Sequence, residues 1–358
     1  MGAPTPLAVL PPAFYGGKAR ARRAIALAVI VLVVSVGALA GSGRIDLLSV
    51  LGPHVARSEW AFTMTGARAL NGLGLTGRGI TVCVVDSGLD AIHPDFALTH
   101  IVAWRDFVNF RPGPYDDSGH GTSMTGLIAA DGGLRGVAPE VQLIVAKVVN
   151  SAGEGSPENV AAGIHFCVDP GNGLPGADVI SISLGSKAHL FVESKVEQAA
   201  EWATARGVFV VASAGNDGTS DDGDVGIPAN APLVISVGAV DSSGIIAPFS
   251  SIGSSENRSA PNLKPEVVAP GVRLVSTGLG ARYLTTSGTS PAAAVVAGIL
   301  ALLLQAKPSL RPGIAADSLV RVKTAIAAAS RRAIDQVLPH DPWYGYGIID
   351  GPAVLALL

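Results

Sequence analysis

Residues 79–90 read GITVCVVDSGLD, a continuous apolar run that ends at an acidic turn. This pattern is typical of a strand that is buried on both faces, because both of its sides contact apolar layers. The repetition of such runs along the chain predicts a sheet of buried, mostly parallel strands. The further runs are QLIVAKVV (142–149), ADVISISLG (177–185), GVFVVASAG (207–215) and LVISVGAV (233–240).

Segments of helical character lie between these runs. Ser156 offers an N-cap, and Pro157 suits the first position of the helix that follows. Residues 195–207, KVEQAAEWATARG, predict another helix that stops at Gly207. Strands that alternate with helices form right-handed βαβ units. The sequence therefore predicts an α/β fold, a three-layer doubly wound sandwich with a mostly parallel central sheet.

Composition narrows the class of protein further. Apolar residues make up 48% of the chain, which is enough for a substantial core. The net charge of −3, from 25 Lys+Arg and 28 Asp+Glu, argues against nucleic acid as a partner. No internal repeat and no second compositional block interrupts residues 59–358, which we expect to form one domain and to act as a monomer.

The N-terminal part of the chain has three segments. Residues 1–23 end in a basic cluster, residues 24–43 are apolar and uncharged, and residues 44–58 form a linker. The apolar segment reaches the length of a spanning helix, and it also contains a small-x-small site at Ala38–Ala40. A cleaved signal and a retained membrane anchor both fit. In both cases we expect the domain to be extracytoplasmic, either membrane-anchored or secreted.

The chain has two cysteines, Cys83 and Cys167, and both lie in apolar surroundings. Two buried thiols are the simpler interpretation, and a disulfide between them stays open outside the cytosol. Sequence cannot decide between these states, because a disulfide depends on geometry. No Cys/His spacing typical of zinc occurs.

Four polar residues follow strands or precede helices: Asp86, His120, Asn216 and Ser290. Singly, each has an ordinary structural explanation as a strand-end carboxylate, a surface histidine, a turn residue or an N-cap. Together they supply a nucleophile, a base, a group that orients the base and an oxyanion donor. The carboxyl ends of parallel strands would bring such residues to one edge of the sheet.

Four short motifs contain these residues in a fixed order along the chain: DSG (86–88), HGT (120–122), SAGN (213–216) and GTS (288–290). Further segments, such as GVAPEVQLIVAKV, KPEVVAPG and WYGYGIID, extend the match over most of residues 59–358. With this order of Asp, His and Ser, the chain resembles the subtilisin-like serine peptidase (subtilase) family.

The resemblance implies a role for each site residue. Ser290 would be the nucleophile, His120 the general base, with a pKa near the ordinary value of about 6.5, and Asp86 the group that orients His120. The side-chain amide of Asn216 and the backbone N–H of Ser290 would bind the oxyanion. Two strand-end segments would bind substrate, one by pairing with an extended peptide and one by lining a side-chain pocket. They are Ser183, Leu184 and Gly185, and Ser213, Ala214 and Gly215.

The chain also departs from the family pattern. Pro291 replaces the usual methionine after the nucleophile, but proline suits the start of a helix and the required N–H belongs to Ser290. Residues 131–135 form a shorter loop than the family's calcium site, where Asp95 alone remains. Asp221, Asp222 and Asp224 would hold a cation weakly or form a solvated charge cluster. We therefore expect no metal site and no required cofactor, with weak calcium binding left open.

The function implied is that of a serine endopeptidase whose partners are polypeptide substrates. Two alternatives use the same fold: a catalytically inactive, membrane-tethered module that binds peptides, and an esterase or transferase that uses the same three residues. All four positions are filled, which counts against the inactive module.

Overall fold

A seven-stranded sheet forms the centre of the protein. The computed structural model describes residues 58–184, 195–220, 223–314 and 317–358, so the predicted segments 1–23 and 24–43, and all of the linker but Ser58, lie outside it. The strand order is β2-β3-β1-β4-β5-β6-β7, and all neighbours are parallel. The strands are β1 (Thr81–Asp86), β2 (His100–Asp106), β3 (Gln142–Lys147), β4 (Val179–Ile182), β5 (Phe209–Ser213), β6 (Ile235–Val240) and β7 (Val267–Pro270). Strands β8 (Leu274–Thr277) and β9 (Tyr283–Thr286) form a separate antiparallel hairpin.

Eight α-helices lie within the described residues, together with three short 3-10 turns at Pro94–Phe96, Gly218–Ser220 and Pro308–Leu310. Two short helices precede the sheet, and the others follow its strands. The helices are α1 (Glu59–Met64), α2 (Ala67–Gly72), α3 (His120–Ala129), α4 (Pro157–Val168), α5 (Lys195–Thr204), α6 (Thr289–Ala306), α7 (Ser318–Ala329) and α8 (Gly351–Leu357).

Helices cover both faces of the sheet, which confirms the predicted three-layer α/β sandwich. Helix α6 packs on strands β4–β7 and on α3, within one apolar layer. Helices α4 and α5 pack on the opposite face, against β1, β3 and β5. The described residues from Ser58 to Leu358 form one unit.

The local helix signals in the sequence are confirmed. The side chain of Ser156 caps α4 by accepting a hydrogen bond from the N–H of Asn159 at 3.1 Å. Gly207 follows α5 with a φ of 82°, in the left-handed region that glycine reaches without strain. Within the described part of the chain, α6 alone is long and apolar enough to cross a membrane, yet 89% of it is buried in the protein. It is a buried core helix.

The two cysteines form a disulfide in the structure, so the simpler prediction of two free thiols is wrong. Cys83 lies on β1 and Cys167 near the end of α4. Packing of α4 on the sheet brings their Cα atoms to 5.6 Å, within the range that a disulfide requires. The bond joins the central strand to one of its covering helices.

Three ionisable side chains are buried together beside β7. Lys264 and Lys323 both contact one carboxylate oxygen of Glu266, with Nζ–Oε1 distances of 2.9 Å and 2.7 Å. All three residues are at most 1% exposed. Burial lowers the pKa of Lys264 from 10.5 to about 7, and the positive charge of Lys323 adds to this effect, while Glu266 opposes it. Two cations therefore share one anion inside the protein.

This cluster predicts that stability rises with pH above neutrality. An unfolded lysine keeps its proton up to pH about 10.4, whereas folded Lys264 releases it near pH 7. Over that interval the unfolded state binds more protons, so the free energy of unfolding should rise by up to about 1.4 kcal/mol per pH unit.

The Lys264→Met variant tests this prediction through urea unfolding between pH 7 and 10. The free energy of unfolding of wild type, relative to that of Lys264→Met, should rise with pH, because wild-type Lys264 becomes neutral. The exposed Lys195, replaced in the same way, is the control and should show no such trend. A difference between Lys264→Met and wild type that stays constant with pH would contradict the assignment.

Candidate active site

The site lies where the sheet topology changes direction. The chain leaves β1 towards β2 on one side and leaves β4 towards β5 on the other, and β1 and β4 are neighbours. Clefts form outside the carboxyl ends of such a strand pair. Here the cleft has a volume of about 480 Å³. His120, Asn216 and Ser290 line it, and Asp86 ends β1 behind His120.

His120 begins α3 and is bound to Asp86. Its Nδ1 atom lies 2.8 Å from Oδ1 and 2.9 Å from Oδ2 of the carboxylate. Asp86 is fully buried, and its Oδ1 also accepts a hydrogen bond from the N–H of Ser87 at 2.7 Å. The imidazole itself is partly exposed to the cleft. A buried carboxylate thus orients an accessible imidazole.

Two glycines allow the turn after β1 to approach α3. A Cβ atom on Gly121 would lie 2.3 Å from the carbonyl oxygen of Gly88. A Cβ atom on Gly88, which has a φ of 119°, would lie 2.1 Å from the carbonyl oxygen of Tyr115. No side chain fits at these distances, so the DSG and HGT motifs need their glycines for close backbone packing.

Ser290 is the second residue of α6 and lines the same cleft as His120. Its hydroxyl donates to the carbonyl oxygen of Ser183 at 3.2 Å. Within the described parts of the chain no hydrogen bond joins Ser290 to His120. Bonds between a nucleophile and its base are commonly long in unliganded sites and shorten with substrate.

Asn216 follows β5 and faces the start of α6. Its side-chain oxygen accepts hydrogen bonds from the N–H of Thr289 at 2.8 Å and from the Thr289 hydroxyl at 3.1 Å. Because Thr289 binds the amide oxygen, the amide nitrogen of Asn216 is the group that can donate a hydrogen bond into the cleft. Sequence reasoning missed the role of Thr289, although it lies within the GTS motif.

Most of the predicted substrate-binding residues lie where they are expected. Ser183 and Leu184 follow β4, and Ser213 and Gly215 lie at the end of β5; all four line the cleft. Gly185 lies outside the described residues.

The structure corrects the prediction that Ala214 lines the cleft. Its side chain is fully buried in the apolar layer below, because successive residues of an extended chain point to opposite sides. Its backbone, rather than its side chain, supports the cleft: the Ala214 carbonyl accepts a hydrogen bond from the N–H of Gly226 at 2.8 Å, and Gly226 lines the cleft.

A second cavity of about 320 Å³ adjoins the cleft and was not predicted from the sequence. Val149, Gly153 and Leu184 line both spaces. Val160 and Val196, from α4 and α5, make its floor apolar.

The Asp95 carboxylate, predicted as the remnant of a calcium site, is occupied by protein donors. It accepts hydrogen bonds from the N–H groups of Gly133 and Leu134, both at 2.8 Å, and from the hydroxyl of Tyr283 at 2.9 Å. Calcium requires a shell of oxygen ligands, whereas this carboxylate is surrounded by hydrogen-bond donors. The donor set does not fit the ion.

Of the three carboxylates in the acidic loop, the structure describes only Asp224. Arg258 binds both oxygens of Asp224, at 2.7 Å and 2.6 Å, so that carboxylate is neutralised within the protein. Asp217 lines the cleft, and Asp221 and Asp222 lie outside the described residues. In the described ranges no group of three or more His, Cys, Asp or Glu side chains is arranged to hold a metal ion.

The electrostatics predict that His120 titrates above its ordinary value. The negative charge of Asp86 raises the pKa of His120; burial lowers it, and the hydrogen bond to Asp86 and the charge of Asp116 raise it again, with a net increase from 6.5. This corrects the sequence expectation of an unshifted value.

Because only the neutral imidazole accepts a proton, we expect activity to rise with pH through a midpoint above about 6.5. The pH profile of kcat/KM for a peptide substrate measures the midpoint. A value at or below about 6.5 would contradict the arrangement of charges around His120.

The cleft therefore presents a serine hydroxyl, an imidazole bound to a buried carboxylate, and an amide donor. These are the groups that acyl transfer requires. The pattern that defines the Subtilase family matches residues 77–347. The chain belongs to this family.

Curated relatives agree with that assignment. The chain is similar to serine protease AprX of Bacillus subtilis (strain 168), with 36% identity over 270 residues, 68% of this chain and 60% of the relative. M-protease of Shouchella clausii (strain KSM-K16) is 38% identical over 253 residues, 70% of this chain and 60% of the relative. Subtilisin Savinase of Lederbergia lenta is 38% identical over 253 residues, 70% of this chain and 85% of the relative. The matches to the first two span 60% of those relatives' length.

Proposed function

We propose that this protein is a serine endopeptidase that cleaves polypeptides with Asp86, His120 and Ser290. The observation that carries the proposal is the bond from His120 to buried Asp86 beside Ser290 in one open cleft. The names of the curated relatives, serine protease and subtilisin among them, support the same activity.

In the proposed mechanism, the Ser290 hydroxyl turns from the Ser183 carbonyl and attacks the scissile carbonyl carbon. His120 accepts the hydroxyl proton as the new C–O bond forms, and later returns it to the leaving amine. Asp86 stabilises the imidazolium and holds Nδ1 as the donor. After the amine leaves, a water molecule attacks the acyl carbonyl while His120 accepts its proton, and His120 returns that proton to the Ser290 oxygen as the ester bond breaks.

The oxyanion would be bound by two donors. One is the amide nitrogen of Asn216, whose oxygen Thr289 already holds. The other is the N–H of Ser290, which has no partner within α6 because it lies in the first turn of the helix. Pro291 lies one position further along and removes neither donor.

Asn216→Ala should therefore lower kcat rather than raise KM, because the donor acts mainly on the charge of the transition state. The expected loss in kcat is about 10²–10³, the value known for removal of such an asparagine from a subtilisin. Steady-state kinetics on a peptide substrate separates the two constants. A raised KM at constant kcat would contradict the assignment of Asn216.

The substrates we propose are extended polypeptides. Ser183 and Leu184 offer a strand end with which an extended chain can pair, and the adjoining apolar cavity receives a side chain. The net charge of −3 gives no support for nucleic acid as a partner. We propose that the domain acts as a monomer.

We also propose that the domain acts outside the cytoplasm, secreted or anchored through residues 24–43. The basic cluster before that apolar segment supports the orientation, and the Cys83–Cys167 disulfide suits an oxidising compartment. No cofactor is proposed, because the Asp95 site is already filled by hydrogen-bond donors.

A fluorophosphonate probe tests the proposed activity, with casein and a small ester as parallel substrates. Labelling of Ser290 together with casein cleavage is the expected result. Labelling with ester hydrolysis but no cleavage of casein would favour an esterase or transferase. A folded protein that the probe does not label would favour the inactive peptide-binding module.

A further inference from the structure

Asp116 is a half-buried carboxylate in the loop before α3, and the proposed mechanism does not use it. It accepts five hydrogen bonds at its two oxygens. The donors are the Ser87 hydroxyl at 2.9 Å, the N–H groups of Ser118, Gly119 and Thr122 at 3.0, 2.9 and 2.9 Å, and the Thr122 hydroxyl at 2.7 Å. Such a complete set of donors fixes the carboxylate in one position.

The donors belong to the two segments that carry the base and its orienting group. Ser87 follows Asp86, and its N–H donates a hydrogen bond to the Asp86 carboxylate. The Ser87 hydroxyl also accepts a hydrogen bond from the N–H of Gly121 at 2.8 Å, next to His120. Asp116 therefore joins the turn after β1 to the first turn of α3 through side-chain and backbone bonds.

We propose that Asp116 is a positioning residue for the reaction. Its carboxylate holds the start of α3 against the turn after β1, so that the His120 imidazole meets Asp86, and its negative charge stabilises the imidazolium. This inference rests on the proposed function of His120 as the general base.

The charge of Asp116 persists at neutral pH. Burial raises its pKa, but hydrogen bonds from Gly119, Thr122 and Ser118 outweigh burial, and the pKa is lowered from 3.8. The charge acts on His120 in the same direction as the charge of Asp86. The neighbouring Asp117 is paired with buried Lys147 at 2.6 Å, so its charge is largely balanced.

Asp116→Asn removes the charge with little change of shape. Less stabilisation of the imidazolium lowers the pKa of His120, so the rising limb of kcat/KM should move to lower pH by about half a unit or more. Misorientation of the base should lower kcat about 10- to 100-fold, with KM changed less than about twofold. Asp116→Glu keeps the charge, so the rising limb of its kcat/KM profile should lie close to that of wild type.

Asp241→Asn is the matched control. Asp241 also accepts backbone hydrogen bonds within a turn, from Ser243 and Ile245, but that turn follows β6 and makes none of the bonds described around His120. The control should leave the pH limb in place even if it lowers the melting temperature. If the rising limb of the kcat/KM profile moves no further in Asp116→Asn than in Asp241→Asn, the proposal is overturned.

An NMR titration of the His120 imidazole, in a Ser290→Ala background with and without Asp116→Asn, gives a readout that does not need activity. A lower His120 pKa in the double variant supports the role of Asp116, and an unchanged pKa overturns it. If wild type is inactive on casein and on the ester, the proposed function fails, whereas the titration still decides the role of Asp116. If wild type is active and Asp116→Asn behaves like it in both experiments, only the present proposal fails.

Discussion

Ser290→Ala is expected to abolish peptide hydrolysis, with a loss of about 10⁶ in kcat, as in a subtilisin that lacks its nucleophile. The variant removes one oxygen atom from the start of α6. That oxygen makes a single 3.2 Å bond to the Ser183 carbonyl, so the fold loses little. Casein hydrolysis and the melting temperature together separate loss of chemistry from loss of structure.

Ser287→Ala is the control for this experiment. Ser287 lies three residues earlier, and its hydroxyl accepts a hydrogen bond from the N–H of Arg273, away from the cleft. We expect its activity to stay within about twofold of wild type. Residual activity of Ser290→Ala above about 1% of wild type, in protein free of contaminating peptidase, would show that another nucleophile acts in the cleft.

The sequence predicted the members of this site because each of them is part of a short motif at the end of a strand or the start of a helix. Asp86 and Asn216 follow buried strands, and His120 and Ser290 begin helices. Parallel strands order their carboxyl ends along one edge of the sheet, and the order of the four motifs along the chain, with the family resemblance, predicted that the four residues meet there.

The supporting contacts could not be predicted, because they depend on side-chain packing between distant segments. Thr289 binds Asn216 across 73 residues, and Ser87 binds Asp116 across 29. A hydroxyl group at such a position carries no pattern that distinguishes it from an ordinary helix cap or turn residue. The disulfide likewise depends on how closely α4 approaches β1, which its apolar pattern does not specify.

For Asp95, the sequence again predicted one feature, and packing between distant segments determined the rest. The sequence marks its loop as too short for a calcium cage, and the structure shows what fills the space. The carboxylate is 2% exposed and binds two backbone N–H groups of the shortened loop and the hydroxyl of Tyr283. Tyr283 is 188 residues away, on β9, so its part in the site has no local signal.

Asp95→Ala is expected to lower the free energy of unfolding by about 2–3 kcal/mol. The variant removes the acceptor of three hydrogen bonds, of which the one from the buried Leu134 N–H should cost most, because water can replace the acceptor at the exposed Gly133 and the half-buried Tyr283. Urea unfolding measures the loss, and Asp95→Asn, which keeps one acceptor, serves if the alanine variant does not fold. Asp131→Ala, an exposed carboxylate in the same loop, is the control and should change stability by less than about 0.5 kcal/mol.

Chelation and the Tyr283→Phe variant distinguish a loop held by hydrogen bonds from a loop held by a bound metal ion. If the Asp95 carboxylate stabilises the loop through its N–H and O–H donors alone, a chelator should leave the melting temperature of wild type unchanged, and millimolar calcium should not raise it. Tyr283→Phe should cost about 1–2 kcal/mol, because it removes only the hydroxyl donor. A bound ion would reverse this pattern, because the binding free energy of calcium would then be part of the folding free energy. A large drop in melting temperature on chelation, with little effect of Tyr283→Phe, would therefore show that calcium, rather than the tyrosine, holds Asp95.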